Sequence, residues 1–84
     1  MNERLPMAET AFVLINLDRG TPAEVARLIR ALPGVAQAHA VMGDYDVLAV
    51  IHADLTRDIS ALVDAHIRTI DGVAKIVTCV TVPT

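Results

Sequence analysis

Eighty-four residues suffice for one domain and leave no room for a second. Hydrophobic residues reach 54%, more than a chain this short can hide as a monomer, so association is the expected outlet. The net charge is −3 and the seven Lys and Arg side chains are scattered without a basic stripe, which argues against direct nucleic-acid binding through phosphate contacts.

In chain order, residues 1–9 form an N-terminal tail with Pro6 and no apolar h-region, so it does not read as a signal peptide. No apolar run approaches the ~18 residues of a membrane span, and the expected location is cytoplasmic. Thr10 to Leu17 is rich in Val, Leu and Ile and ends at Asp18-Arg19-Gly20, which predicts a strand. Thr21-Pro22-Ala23-Glu24 follows. Thr at the N-cap, Pro at the first helical position and Glu at the third make a capping box. Val25, Leu28, Ile29 and Leu32 then recur at helical spacing as one apolar stripe, until Pro33-Gly34 stops the helix.

The apolar runs Val35 to Met42 and Val47 to Ala53 flank Gly43-Asp44-Tyr45-Asp46 and predict a β-hairpin with a four-residue loop. Pairing Met42 with Val47 puts Ala36, Ala38, Ala40, Met42, Val47, Ala49 and Ile51 on the side facing the helices. The opposite face then carries Gln37, His39, Val41, Leu48, Val50 and His52, joined by Phe12, Leu14 and Asn16. Gln37 becomes the cross-strand neighbour of His52. That face is largely apolar and calls for a partner sheet, most economically in a face-to-face homodimer.

Asp54 or Thr56 is expected to cap a second helix, whose stripe is Ile59, Leu62, Val63, His66, Ile67 and Ile70. Asp71-Gly72 ends it, and a last strand runs from about Ala74 to Val82. The lone Cys79 lies within that apolar run and reads as a small core residue. Leu32-Pro33-Gly34-Val35-Ala36 is echoed by Ile70-Asp71-Gly72-Val73-Ala74, so the chain divides into two strand-helix-strand halves. The order β-α-β-β-α-β with right-handed crossovers gives an α+β, ferredoxin-like sandwich: a four-stranded antiparallel sheet with two helices on one face, of the dimeric α/β-barrel type.

Tyr45 is the chain's only tyrosine and lies between two carboxylates at the hairpin tip. An aromatic wall, two anionic acceptors and backbone groups around a glycine suit a grip on a small polar ligand, or docking onto a neighbouring subunit. With these residues in view, the stretch from Thr10 onward resembles the ligand-binding (RAM) domain of the Lrp/AsnC transcription regulators. The matching pieces are Ala11-Phe12-Val13-Leu14-Ile15, Leu32-Pro33-Gly34-Val35, Met42-Gly43-Asp44-Tyr45-Asp46, Asp71-Gly72-Val73 and Thr78.

The resemblance implies a ligand-binding domain over residues 10–84, without the helix-turn-helix half of full-length members. It further implies a dimer that assembles into an octamer or decamer, and a small-molecule effector, typically an amino acid, held at the tips. The site residues it implies are Met42, Gly43, Asp44, Tyr45, Asp46 and Thr78, and a full-length Lrp/AsnC regulator is an expected partner. Met42 and Ile76 stand where the family often has hydroxyl residues, which alters the chemistry of the expected pocket.

No metal, cofactor or catalytic residue is expected, since His39, His52 and His66 form no ligand signature. His39 and His52 are expected instead to hydrogen-bond in the dimer interface and to make assembly sensitive to pH. The favoured function is therefore a non-catalytic sensing and oligomerisation module. The alternatives are a small dimeric α/β-barrel enzyme of monooxygenase or isomerase type, which needs a polar cavity between helices and sheet, and a pure scaffold ring.

Overall fold

In the computed structural model, residues 9–82 are described; apart from Glu9, the expected N-terminal tail lies outside them. Strand β1 (Glu9–Leu17) alternates strictly, with Ala11, Val13 and Ile15 buried and Phe12 exposed between them. Helix α1 (Pro22–Arg30) starts where the capping signal placed it, with the Thr21 hydroxyl accepting from the Glu24 N–H at 3.3 Å. Only half of the capping box forms, because the Glu24 carboxylate turns to Arg27 instead of reaching back to Thr21. Val25, Ala26 and Ile29 are buried, whereas Leu28, expected in the stripe, is half exposed.

Strands β2 (Val35–Ala40) and β3 (Val47–Ala53) form the hairpin. Its loop has four residues, set one position earlier than expected. The Val41 N–H bonds the Asp46 carbonyl at 2.9 Å, leaving Met42–Tyr45 as the turn, and Val47 faces Ala40 rather than Met42. This slip of two preserves which face each residue takes. Ala38, Val47, Ala49 and Ile51 are buried as expected. Ala36 is exposed because a register shift between Val35 and Gln37 gives Val35 the place opposite Ile51, and Ala40 and Met42 are exposed toward the tip. The slip also changes the outer face. Gln37 lies opposite Val50, and His52 lies opposite Thr10, whose hydroxyl is 3.1 Å from His52 Nδ1. His39 contacts Gln37 at 3.1 Å.

Helix α2 (Thr56–Leu62) has Leu55 at its N-cap position, between the two expected candidates Asp54 and Thr56. It runs into a π-helical turn, Val63–Ile67, closed by the Arg68 N–H on the Val63 carbonyl at 2.8 Å. The reason lies in the spacing of the buried residues Ile59, Val63 and Ile67. Steps of four advance an α-helix about 40° beyond a full turn, so two steps would rotate Ile67 out of line with Ile59. The wider turn takes up that drift and keeps all three on the sheet. It leaves His66 exposed, outside the expected stripe.

Strand β4 (Val73–Val80) completes a sheet of order β2-β3-β1-β4, all pairs antiparallel, with both helices on one face. This is the ferredoxin-like arrangement read from the sequence. Cys79 faces Phe12 across the β1–β4 pair and therefore lies exposed on the outer face, not in the core. The same ladder ends with the Thr81 N–H bonded to the Thr10 carbonyl at 2.8 Å. A register shift separates Asn16 from Leu17, whose partners Lys75 and Val73 skip Ala74.

The repeated halves fold alike. Gly34 and Gly72 take φ of +92° and +96°, and each following valine N–H closes its turn, Val35 onto Leu32 and Val73 onto Ile70. Each glycine carbonyl then accepts from the neighbouring strand region, Gly34 from His52 and Gly72 from Asp18. Gly72 is packed so closely that a Cβ there would collide with the Arg19 carbonyl. Among the described residues, no helix is long and apolar enough to cross a membrane, and no polar or charged side chain is buried.

Candidate functional site

The hairpin tip is fastened to the end of β1 at both its main chain and its side chains. Asp46 is the principal anchor. Its N–H bonds the Ile15 carbonyl at 2.9 Å, and its carboxylate Oδ2 accepts from the Leu17 N–H at 2.8 Å. Asn16, between these two, donates from Nδ2 to the Asp44 carbonyl at 2.8 Å. A carboxylate bonded to a backbone N–H is a charge-assisted contact, stronger than the neutral bonds of the ladder. The tip is thus held in one position rather than left as a loose loop.

Anchoring presents the remaining tip residues outward. Met42 is fully exposed, Gly43 and Asp44 are exposed, and Tyr45 is half-buried. Gly43 has φ +135° with open space where a side chain would be, a conformation that keeps the backbone bare beside Asp44. Among the described residues the Asp44 carboxylate makes no ion pair or hydrogen bond, so the two aspartates differ: Asp46 is committed to β1, Asp44 faces solvent.

The sixth expected site residue stands apart. Thr78 lies opposite Val13 on β4, exposed, three β1 positions from Asn16, or about 10 Å along the strand. One protomer therefore groups Met42, Gly43, Asp44, Tyr45 and Asp46 but not Thr78. Two residues missed from the sequence sit here as well. Asn16 holds the tip, and Lys75 faces Asn16 across the β1–β4 pair. Neither carries a local signal, since both are brought in by long-range strand pairing.

A separate cleft lies elsewhere, at the far end of β3. It has a volume of about 420 Å³ and is lined by Pro33, Ala53, Asp58, Leu62, Ala65 and His66 among others. Its walls are mainly apolar but include His52, Asp58 and His66, and it opens to solvent between α2 and the end of β3. Among the described residues no group of three or more His, Cys, Asp or Glu could hold a metal ion. Among the described residues, the one carboxyl held clearly below its ordinary value is Asp71, through its hydrogen bond and ion pair with the Arg19 guanidinium. That contact ties the turn before β4 to the end of β1.

Comparison with known proteins now places this architecture. Residues 10–84 match the model of the Lrp/AsnC ligand binding domain. An uncharacterized HTH-type transcriptional regulator of Pyrococcus furiosus is 37% identical over 81 residues, covering 93% of this chain and 54% of that protein. The chain thus spans about half the length of the curated relatives it matches. A solved structure from Thermus thermophilus is 28% identical, with a TM-score of 0.84 and coverage of 90% of this chain and 95% of the other. A transcriptional regulator of Neisseria meningitidis, solved as a complex with L-Met, shares the fold at 18% identity and a TM-score of 0.78, over 93% of this chain and 52% of its own. The Pyrococcus and Neisseria relatives are transcriptional regulators, and over residues 10–84 the chain belongs to the Lrp/AsnC family as a ligand-binding domain.

Proposed function

We propose that the domain is a non-catalytic sensor of a small molecule, an amino acid, whose occupancy is coupled to assembly of the domain with copies of itself. The observation that carries this reading is the anchored tip. Met42, Gly43, Asp44 and Tyr45 are held out from the sheet by the Asp46 and Asn16 contacts, with a bare backbone and an uncommitted carboxylate. The L-Met complex of the Neisseria meningitidis regulator supports an amino acid as the class of effector.

In this reading two sheets pack face to face through Phe12, Leu14, Leu48, Val50 and Val77 to make a dimer. The dimers assemble further, to an octamer or decamer, with tips at the junctions and Thr78 contributed from across a subunit boundary. A ligand bound at such a junction favours the assembled state by mass action. Co-assembly with a full-length Lrp/AsnC regulator would pass the signal to DNA, a task to which this chain's net charge of −3 is poorly suited. The enzyme reading has less support, because the buried core between helices and sheet is apolar among the described residues and the relatives are transcriptional regulators.

The test is a thermal-shift screen against the twenty common amino acids, with particle mass followed by sedimentation. Ligand at a hundred times its dissociation constant adds about 2.7 kcal/mol to the folded state, a shift of roughly 10–20 °C in a domain this small. A hit that also changes particle mass is the expected result. No hit across the panel, with an unchanging mass, would overturn the sensor in favour of a scaffold.

A further inference from the structure

Helix α2 and the π-helical turn that continues it carry two rows of residues spaced four apart. One row, Ile59, Val63 and Ile67, is buried on the sheet. The other lies one residue earlier, Asp58, Leu62 and His66, and lines the cleft at the end of β3. Each step of four in an α-helix overshoots a full turn by about 40°, so Asp58 and His66 would diverge around the axis. The wider turn over Val63–Ile67 takes up that drift for the outer row as it does for the buried one. Asp58 and His66 thus stay in line, with Leu62 midway between them. Ala61 and Ala65 flank the row in the same cleft, whose opposite wall carries Pro33 and Gly34.

This face finds no polar partner within its own chain. Asp58, Ala61, Ala65 and His66 are exposed, and Leu62 is half-buried. Elsewhere on the same helical segment the charges are satisfied internally, Arg68 with Asp64 at 3.3 Å. Among the described residues, neither Asp58 nor His66 has an ion pair or a side-chain hydrogen bond. A carboxylate that can only accept stands at one end of the row, and an imidazole that can donate stands at the other, about 12 Å along the axis.

Reversed end for end, the row complements itself. When a second copy is turned about a two-fold axis through Leu62, the helices run antiparallel and each Asp58 meets the partner's His66. Self-complementarity of this kind is what an isologous contact requires. Ala61 and Ala65 keep the flanks low, which admits a partner helix at about 8 Å, the short end of the usual range. Each α2 then fills the other's cleft, a space of about 420 Å³ beside the Pro33-Gly34 turn.

We propose that this face of α2 is an interface between two copies of the chain: an antiparallel, two-fold pair of α2 helices closed at both ends by a hydrogen bond from His66 to the partner's Asp58. The contact lies on the helix side of the molecule, opposite the outer face of the sheet, so one protomer can use both faces. Two isologous contacts on opposite faces link dimers into larger particles. The pairing needs no ligand and makes no use of the hairpin tip, and it stands independently of the sensor reading.

The experiment is sedimentation of the ligand-free protein over a dilution series at pH 7. His66→Asp sets carboxylate against carboxylate at both ends of the contact. Because one substitution acts twice, the dissociation constant of the larger particle should rise about tenfold or more. Adding Asp58→Arg to that variant places a bidentate donor opposite the new carboxylate and should restore assembly. Ser60→Asp adds the same charge on the far side of the helix and should leave the particle mass unaltered. Far-UV dichroism checks that α2 is intact, and rescue by a second substitution is not what a folding defect would give. If His66→Asp assembles like the unaltered protein, if Asp58→Arg does not restore assembly, or if Ser60→Asp is equally disruptive, the α2 interface is wrong.

Discussion

Replacing one hydrogen of Gly72 by a methyl group sets two costs against the fold at once. The backbone there is left-handed, at φ +96°, and the new Cβ would strike the Arg19 carbonyl, which belongs to the neighbouring turn and cannot give way easily. Gly72→Ala should therefore cost roughly 2–4 kcal/mol, combining backbone strain with a steric collision. Gly43→Ala meets open space and should cost about 1–2 kcal/mol from strain alone. Urea denaturation of the two variants checks the order, and equal losses would mean that the Arg19 turn yields. The sequence displayed Gly72 as a turn residue in a repeat; the closeness of Arg19, far off in the chain, was not visible there. The same holds for the tip. Its residue types announced an exposed turn, but only three-dimensional placement separates Asp46, which holds β1, from Asp44, which does not.

Each element owes its place to local pattern and its detail to its neighbours. The strand β3 and the start of α1 were legible because alternation and the Thr-Pro-Ala-Glu signal are properties of contiguous residues. The hairpin register was not, since alternating alanines fit either of two slips of equal parity, and the choice is made by Asp46 bonding to β1. The π-turn was equally hidden, being a response of α2 to the sheet beneath it. Strand β2 is an edge, and Arg30 reaches over from α1 to place Nε and an NH2 group on the Ala38 carbonyl, at 3.3 and 2.7 Å. Covering an edge acceptor in this way opposes strand addition by other chains. Arg30→Ala should cost roughly 1–2 kcal/mol and speed aggregation on warming, followed by light scattering. At the turn joining α2 to β4, Asp71 is held below its ordinary value of 3.8 by Arg19. A depressed carboxyl contributes stability above 3.8 that is lost as pH falls through its lower folded value. The unaltered protein should therefore lose slightly more stability on acidification through that range than Arg19→Ala does. High salt should erase the difference, because both groups are fully exposed.

For the molecule as a whole, the decisive surface is the outer face of the sheet. Phe12 is 41% exposed there, beside Leu14, Leu48, Val50, Val77 and the thiol of Cys79. In the proposed face-to-face dimer this patch is covered, and Cys79 becomes its reporter. The thiol should react slowly with an aromatic disulfide reagent in the assembled protein. Phe12→Asp should give a folded, smaller particle whose Cys79 reacts much faster. Equal rates in both would place the interface elsewhere. Another global property follows from the hydrogen bond between Thr81 and Thr10, which sets the two outermost described stretches of the chain side by side in antiparallel strands. Whatever is attached to the flanks of this domain is tethered to one corner of it. A force drawing those flanks apart acts along the cross-strand bonds, so it breaks them singly, as a zipper opens, instead of loading them all together in shear. The domain is consequently mechanically compliant when pulled through its own backbone, and β4 is the part that peels away first.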